Sequence, residues 1–146
     1  MKRLILTVFL SVVIISKTDY RTKEMMIEVT SFSELNLYKK ILELGIAYPD
    51  IVLAQAKIET GNFTSKIFRE NNNMFGMKLP GRRATTAVGK RYNHARYTNW
   101  LQSLRDYKLW QDQMIHKAPT KHAYLAYLSR NYAEDKNYIR KIKQII

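Results

Sequence analysis

Ala54-Gln55-Ala56-Lys57-Ile58-Glu59-Thr60-Gly61-Asn62-Phe63-Thr64-Ser65, followed closely by Asn71-Asn72-Asn73-Met74-Phe75-Gly76-Met77-Lys78, reads as a helix that ends in an acid, a stop, and a polar loop with an aromatic hook. Pro49 suits the first turn, where a missing N–H costs no helical hydrogen bond. Ile51, Ala54 and Ile58 fall on one stripe of the cylinder, and Val52, Gln55 and Glu59 on the next. Gly61 is the natural stop, because glycine takes positive φ without penalty. Glu59 therefore sits in the last turn, at the negative end of the helix dipole, where a carboxylate is disfavoured. Phe63 and Phe75 are placed to desolvate it further. Both effects raise a carboxyl pKa, as a general acid working near neutral pH requires.

Two more blocks lie downstream. One is Tyr97-Thr98-Asn99-Trp100 with Ser103, Asp106 and Tyr107; the other is Asn131-Tyr132-Ala133-Glu134-Asp135-Lys136-Asn137-Tyr138. With Gln55–Gly61, Ser65 and Asn73–Lys78 they form an ordered set over residues 31–146. This set resembles the bacterial glucosaminidases of glycoside hydrolase family 73, which include flagellar and autolytic peptidoglycan hydrolases. Asn99 stands where the family has Ser, and Lys136 where it has Pro. The resemblance implies a mainly α, α+β lysozyme-like fold and an endo-β-N-acetylglucosaminidase that cleaves the β-1,4 bonds of peptidoglycan. It makes Glu59 the catalytic acid. It also makes Gln55, Asn73, Phe75, Tyr97 and Tyr132 substrate-binding residues of a groove, although each also suits plain core packing. No cofactor and no metal are implied.

Composition sets the outer limits. The chain has 146 residues, enough for one domain with a real core. It has no cysteine, which excludes a disulfide framework and thiolate chemistry. His94, His116 and His122 have no zinc-like spacing. The net charge of +13 implies an anionic partner, either the cell wall or nucleic acid.

Met1-Lys2-Arg3 followed by the apolar run Leu4–Ile15 has the length of a signal-peptide core and is short for a spanning helix. Residues 1–16 are expected to be a signal peptide or N-terminal anchor, with transient membrane contact through 4–15, and 17–30 a linker. The protein is then exported, to the periplasm or cell envelope. Ser31-Phe32-Ser33-Glu34 has capping-box spacing, with Leu35, Tyr38, Ile41 and Leu42 as an apolar face and Gly45 as its stop. Residues 71–105 contain no Asp or Glu but carry Lys78, Arg82, Arg83, Lys90, Arg91, Arg96 and Arg105. They read as loops and short strands, a small irregular β-lobe around 71–98 whose charge suits one wall of a groove. Asn99, Thr120 and Asp135 cap three further helices, the last with Tyr138, Ile142 and Ile145 on one stripe. The expectation is five or six helices and a monomer.

Glycoside hydrolysis usually takes two carboxylates. The lobe offers none, and Glu70 and Asp106 bracket it. Asp106 is expected to tie loop to helix. The second role then falls to the substrate's own 2-acetamido group, or to a water held by Tyr or Asn groups. Two other readings stand beside this one. A lytic transglycosylase or muramidase of the same fold also uses a Glu at such a helix end. A non-catalytic cationic module for cell wall or nucleic acid would use the Tyr and Arg residues at 91–97. The leader and the lack of a recognition helix argue against nucleic acid as a partner.

Overall fold

The computed structural model describes residue 22, residues 31–132 and residues 135–146. The expected leader at 1–16, and the 17–30 linker apart from Thr22, lie outside the described residues. Residues 37–146 form a unit of their own, and the site described below lies within it. Among the described residues there are six α-helices and one two-stranded hairpin. In chain order they are α1 (Glu34–Glu43), α2 (Pro49–Thr60), α3 (Lys66–Asn71), β1 (Gly89–Arg91), β2 (His94–Arg96), α4 (Trp100–Met114), α5 (Lys121–Asn131) and α6 (Tyr138–Ile145). A short 3-10 turn, Ile115–Lys117, follows α4. No described helix is long and apolar enough to cross a membrane.

Local chemistry sets most of these boundaries. Pro49 opens α2, and Gly61 closes it in the left-handed conformation at φ 54°. The Asn99 side chain accepts from Gln102 N at the start of α4, and that of Thr120 from Ala123 N at the start of α5. Ser65 caps α3 in the same way, by accepting from Phe68 N.

Three expectations need correction. The cap of α1 is Ser33, whose Oγ accepts from Asn36 N at 3.0 Å, and not Ser31 two residues earlier. Its buried stripe is Leu37 and Ile41, while Leu35 and Leu42 are exposed. Asp135 does not cap α6. Its Oδ1 accepts from Asn137 N at 2.8 Å in a turn that precedes the helix, and Ile145 lies exposed beyond the buried Tyr138 and Ile142.

The core joins α2, α4, α5 and α6. Ile51 and Ala54 meet Met114, Ala118, Tyr124, Leu128, Tyr138 and Ile142 there. Burying each large aliphatic side chain contributes about 1.5–3 kcal/mol.

The lobe is built differently. β1 and β2 pair antiparallel with Arg91 opposite His94, so Tyr92-Asn93 is a two-residue turn. Both turn residues have positive φ, 53° and 59°, the pattern of a type I′ hairpin. A lone hairpin is marginal in water. This one is pinned by three consecutive asparagines. Asn71 Nδ2 donates to Arg91 O at 2.7 Å, Asn72 Nδ2 to Tyr97 O at 3.0 Å, and Asn73 Nδ2 to Ala95 O at 2.9 Å.

Candidate active site

The acid stands at the end of a helix that is anchored on both sides. Thr60, the residue after Glu59, is buried; its hydroxyl donates to Ala56 O at 2.6 Å and accepts from Phe63 N at 2.8 Å. Asn62 and Phe63 then turn the chain away with φ 54° and 65°. Thr60 thus holds the reversal that leaves Glu59 on the rim of α2.

A second loop closes on the acid from the lobe side. Asn73 is buried and fully engaged. Its Oδ1 accepts from Phe75 N at 3.3 Å and Met77 N at 3.0 Å, and its Nδ2 donates to Met77 O and Ala95 O, both at 2.9 Å. The loop so folded brings Gly76, at φ 63°, against Glu59. A Cβ on Gly76 would stand 3.3 Å from Glu59 Oε2. Gly76→Ala is expected to cost about 1–2 kcal/mol from the left-handed backbone alone. It should also slow catalysis by pressing on the carboxyl. Thermal melts and turnover of the variant check both.

Glu59 is half-buried, and its pKa is raised. Burial is the main cause; a hydrogen bond from Tyr138 works against it by favouring the carboxylate. Tyr132 closes the far side, its hydroxyl donating to Phe75 O.

The remaining groove candidates lie behind this surface. Gln55, one turn before Glu59, is fully buried between Tyr107 (2.7 Å) and Tyr138 (3.3 Å). The Phe75 ring is buried on Tyr107, with centroids 4.1 Å apart. Tyr97 is buried, and its hydroxyl donates to Asp106 Oδ2 at 2.7 Å. The structure thus sets Gln55 one turn before Glu59 and ties Tyr132 to the Phe75-Gly76 loop that meets Glu59, with Asn73 bracing that loop. Tyr97 belongs to a separate cluster with Asp106 and Arg83. Sequence reading listed Tyr138 in the Asn131–Tyr138 block and on a core stripe, gave it no role beside Glu59, and did not single out Gln111. The one available signal was Tyr138 closing the Asn131–Tyr138 block.

The glucosaminidase model, described as mannosyl-glycoprotein endo-β-N-acetylglucosaminidase, matches residues 35–146. The chain belongs to this glucosaminidase family. It is therefore an enzyme, a glycoside hydrolase, and its helices carry a lysozyme-like fold. Among solved structures it is similar to the catalytic domain of the autolysin Auto from Listeria monocytogenes. That likeness has a TM-score of 0.55 and 19% identity, over 88% of this chain and 92% of the other. It is also similar to a chain in a type VI secretion system effector–immunity complex from Pseudomonas protegens, with a TM-score of 0.54 and 19% identity, over 81% and 95% of the two chains. A 57-residue stretch is 39% identical to Protein bax of Escherichia coli K12; it is 39% of this chain and 21% of that relative, so the chain matches about a fifth of the relative's length.

For this glycoside hydrolase the remaining carboxylates matter. Asp106 is fully buried and held by Arg83 at 2.7 and 3.0 Å. Burial alone would raise its pKa, but hydrogen bonds from Arg83, Tyr97 and Thr85 outweigh it and lower the value. Asp106 thus ties loop to helix. Glu70 is exposed, accepts from the Tyr92 hydroxyl at 2.6 Å and pairs with Arg91 at 2.8 Å. The Tyr92 hydrogen bond, with Arg91, lowers its pKa. Among the described residues no cluster of His, Asp or Glu could hold a metal ion.

Proposed function

We propose that this glucosaminidase cleaves the β-1,4 bonds of peptidoglycan after N-acetylglucosamine, with Glu59 as general acid. The observation that carries this reading is the setting of Glu59: a half-buried carboxyl of raised pKa at a helix end, facing the Gly76 loop. The Glu59 proton goes to the glycosidic oxygen as the bond to the anomeric carbon breaks. The 2-acetamido oxygen of the same sugar, or a water, takes up the electron deficiency at that carbon. The Glu59 carboxylate then takes the proton from the water that completes hydrolysis. Neither Asp106, locked to Arg83, nor Glu70, paired with Arg91, is needed as a second carboxylate.

Gln55, Asn73, Phe75, Tyr97 and Tyr132 enter this reading as the residues that shape the groove. Gln55, Asn73 and Tyr97 do so from within, and Tyr132 sits where it can approach the reacting sugar. The anionic wall suits a lobe in which Lys78, Arg82, Lys90 and Arg96 are exposed, with Arg105 exposed on α4. The site of action is then the cell envelope.

The deciding experiment is mass spectrometry of purified peptidoglycan digested by the full chain. Fragments ending in reducing N-acetylglucosamine are expected. Reducing or anhydro N-acetylmuramic acid would place the enzyme among muramidases or lytic transglycosylases instead. The pH profile gives a second check. A general acid is active below its pKa, so cleavage should persist above the usual glutamic range near 4.3 and fall as pH rises through the raised value.

A further inference from the structure

A single chain of buried hydrogen bonds runs through the core to Tyr138, beside Glu59, and its direction is fixed at the far end. Gln111, on α4, is bound to the backbone of Ala47: its Oε1 accepts from Ala47 N at 2.8 Å, and its Nε2 donates to Ala47 O at 3.0 Å. A backbone N–H can only donate and a carbonyl can only accept, so the Gln111 amide has one orientation. Its Nε2 also meets the Tyr124 hydroxyl at 3.1 Å and must donate to it. The Tyr124 hydrogen then goes to the Tyr107 oxygen. The Tyr107 hydrogen goes to Gln55 Oε1 at 2.7 Å. Gln55 Nε2, turned by that bond, donates to the Tyr138 oxygen at 3.3 Å. That leaves the Tyr138 hydrogen for Glu59, which stands one helical turn after Gln55 on the same face of α2; the carboxyl is among the groups that bear on this phenol.

All five side chains are at most 4% exposed, so solvent offers no easy alternative partner. Reversing any one link would leave a buried donor or acceptor unmatched, which is costly.

We propose that Gln111, Tyr124, Tyr107 and Gln55 are positioning residues that make the Tyr138 hydroxyl a permanent donor to Glu59, and so keep the transferable proton on the carboxyl oxygen that Tyr138 does not bind. The inference rests on the reading of Glu59 as the acid. A protonated carboxyl accepts best at its carbonyl oxygen, so a fixed donor there leaves the O–H on the other oxygen. A hydroxyl free to rotate would instead let Glu59 donate inward, to Tyr138, where the proton is useless. The titratable groups that bear on Glu59 are Tyr138, from α6, and Tyr132, beyond the end of α5. Burial holds both phenols un-ionised well past neutral pH.

The test measures glycan cleavage against pH for the full-length wild type, Tyr138→Phe, Tyr107→Phe and the double variant. Tyr107→Phe keeps the ring that stacks on Phe75 but frees Gln55 to turn Oε1 toward Tyr138, drawing that hydroxyl off Glu59. Each single variant is expected to lose about tenfold in kcat with KM unchanged. Its alkaline limb should move up by about one pH unit, because the carboxylate has lost a donor. The double variant should match Tyr138→Phe, since orienting an absent hydroxyl does nothing. Additive losses, or an unmoved limb in Tyr107→Phe, overturn the scheme. Should that variant not fold, Gln55→Met is read by the same criteria. A Glu59→Gln enzyme that still cleaves overturns the acid assignment and this scheme together. An inactive Glu59→Gln enzyme beside unmoved profiles overturns the scheme alone.

Discussion

Glu59→Gln is expected to lower peptidoglycan cleavage by about 10²–10⁴-fold, the range that a positioned general acid supplies. The amide keeps the shape of the carboxyl and can still take the Tyr138 hydrogen bond, so the loss is one of chemistry. Stability should move the other way. The folded-state pKa of Glu59 is raised, so between its unfolded and folded values the native state binds more protons than the unfolded chain. Its contribution therefore falls as pH rises through that window, and at neutral pH the charged acid works against the fold. A neutral glutamine removes this cost. The variant should melt no lower than the wild type at pH 7. Full activity in Glu59→Gln would sink the mechanism, and inactivity with a collapsed melting curve would leave the loss unassigned to chemistry.

Asp106→Ala is expected to destabilise the domain by about 3–5 kcal/mol, the scale for removing one partner of a buried ion pair. Asp106 is fully buried, and Arg83 is only 12% exposed at its side chain. Without the carboxylate, a guanidinium and the Tyr97 hydroxyl lose their acceptor together. Urea unfolding measures the change, and a loss under about 1 kcal/mol, the scale of a surface pair, would contradict this account. The pH sign follows from the lowered pKa of Asp106. Its stabilisation is fully present above the unfolded value near 3.9. It is lost as pH falls below that value toward the lower folded-state pKa. Asp106→Ala should therefore flatten acid unfolding in that range.

The sequence revealed those parts of the fold that local chemistry decides. Pro49, Gly61, Asn99 and Thr120 act within a turn of where they stand, and each marks the helix boundary it was expected to mark. The position of Glu59 in the last turn of α2 was legible for the same reason. What stayed hidden depends on tertiary choice. Ser31 and Ser33 are equally good caps, and only the folded chain selects Ser33. Leu35 and Leu42 have the right period for a core stripe, but α1 buries the neighbouring stripe of Leu37 and Ile41. The chain from Gln111 to Tyr138 joins side chains 13, 17, 52 and 83 positions apart. No spacing rule reaches that far. Asn73 illustrates the same limit: an asparagine beside an aromatic hook suits sugar recognition, yet all of its hydrogen bonds here brace its own loop and β2.

The three asparagines of 71–73 also decide how the lobe fails. Each grips a different carbonyl of the strand segment, and Asn73 simultaneously shapes the loop that sets Gly76 on the acid. Strands of three residues have too little pairing to persist alone. The hairpin and the loop at the acid are therefore one cooperative unit that opens and closes together. A fluctuation that frees the hairpin also unmakes the surroundings of Glu59, so with Glu59 as the proposed acid a partly opened molecule is expected to be silent rather than a less selective enzyme. For a hydrolase of peptidoglycan, such coupling would confine cleavage to the intact fold.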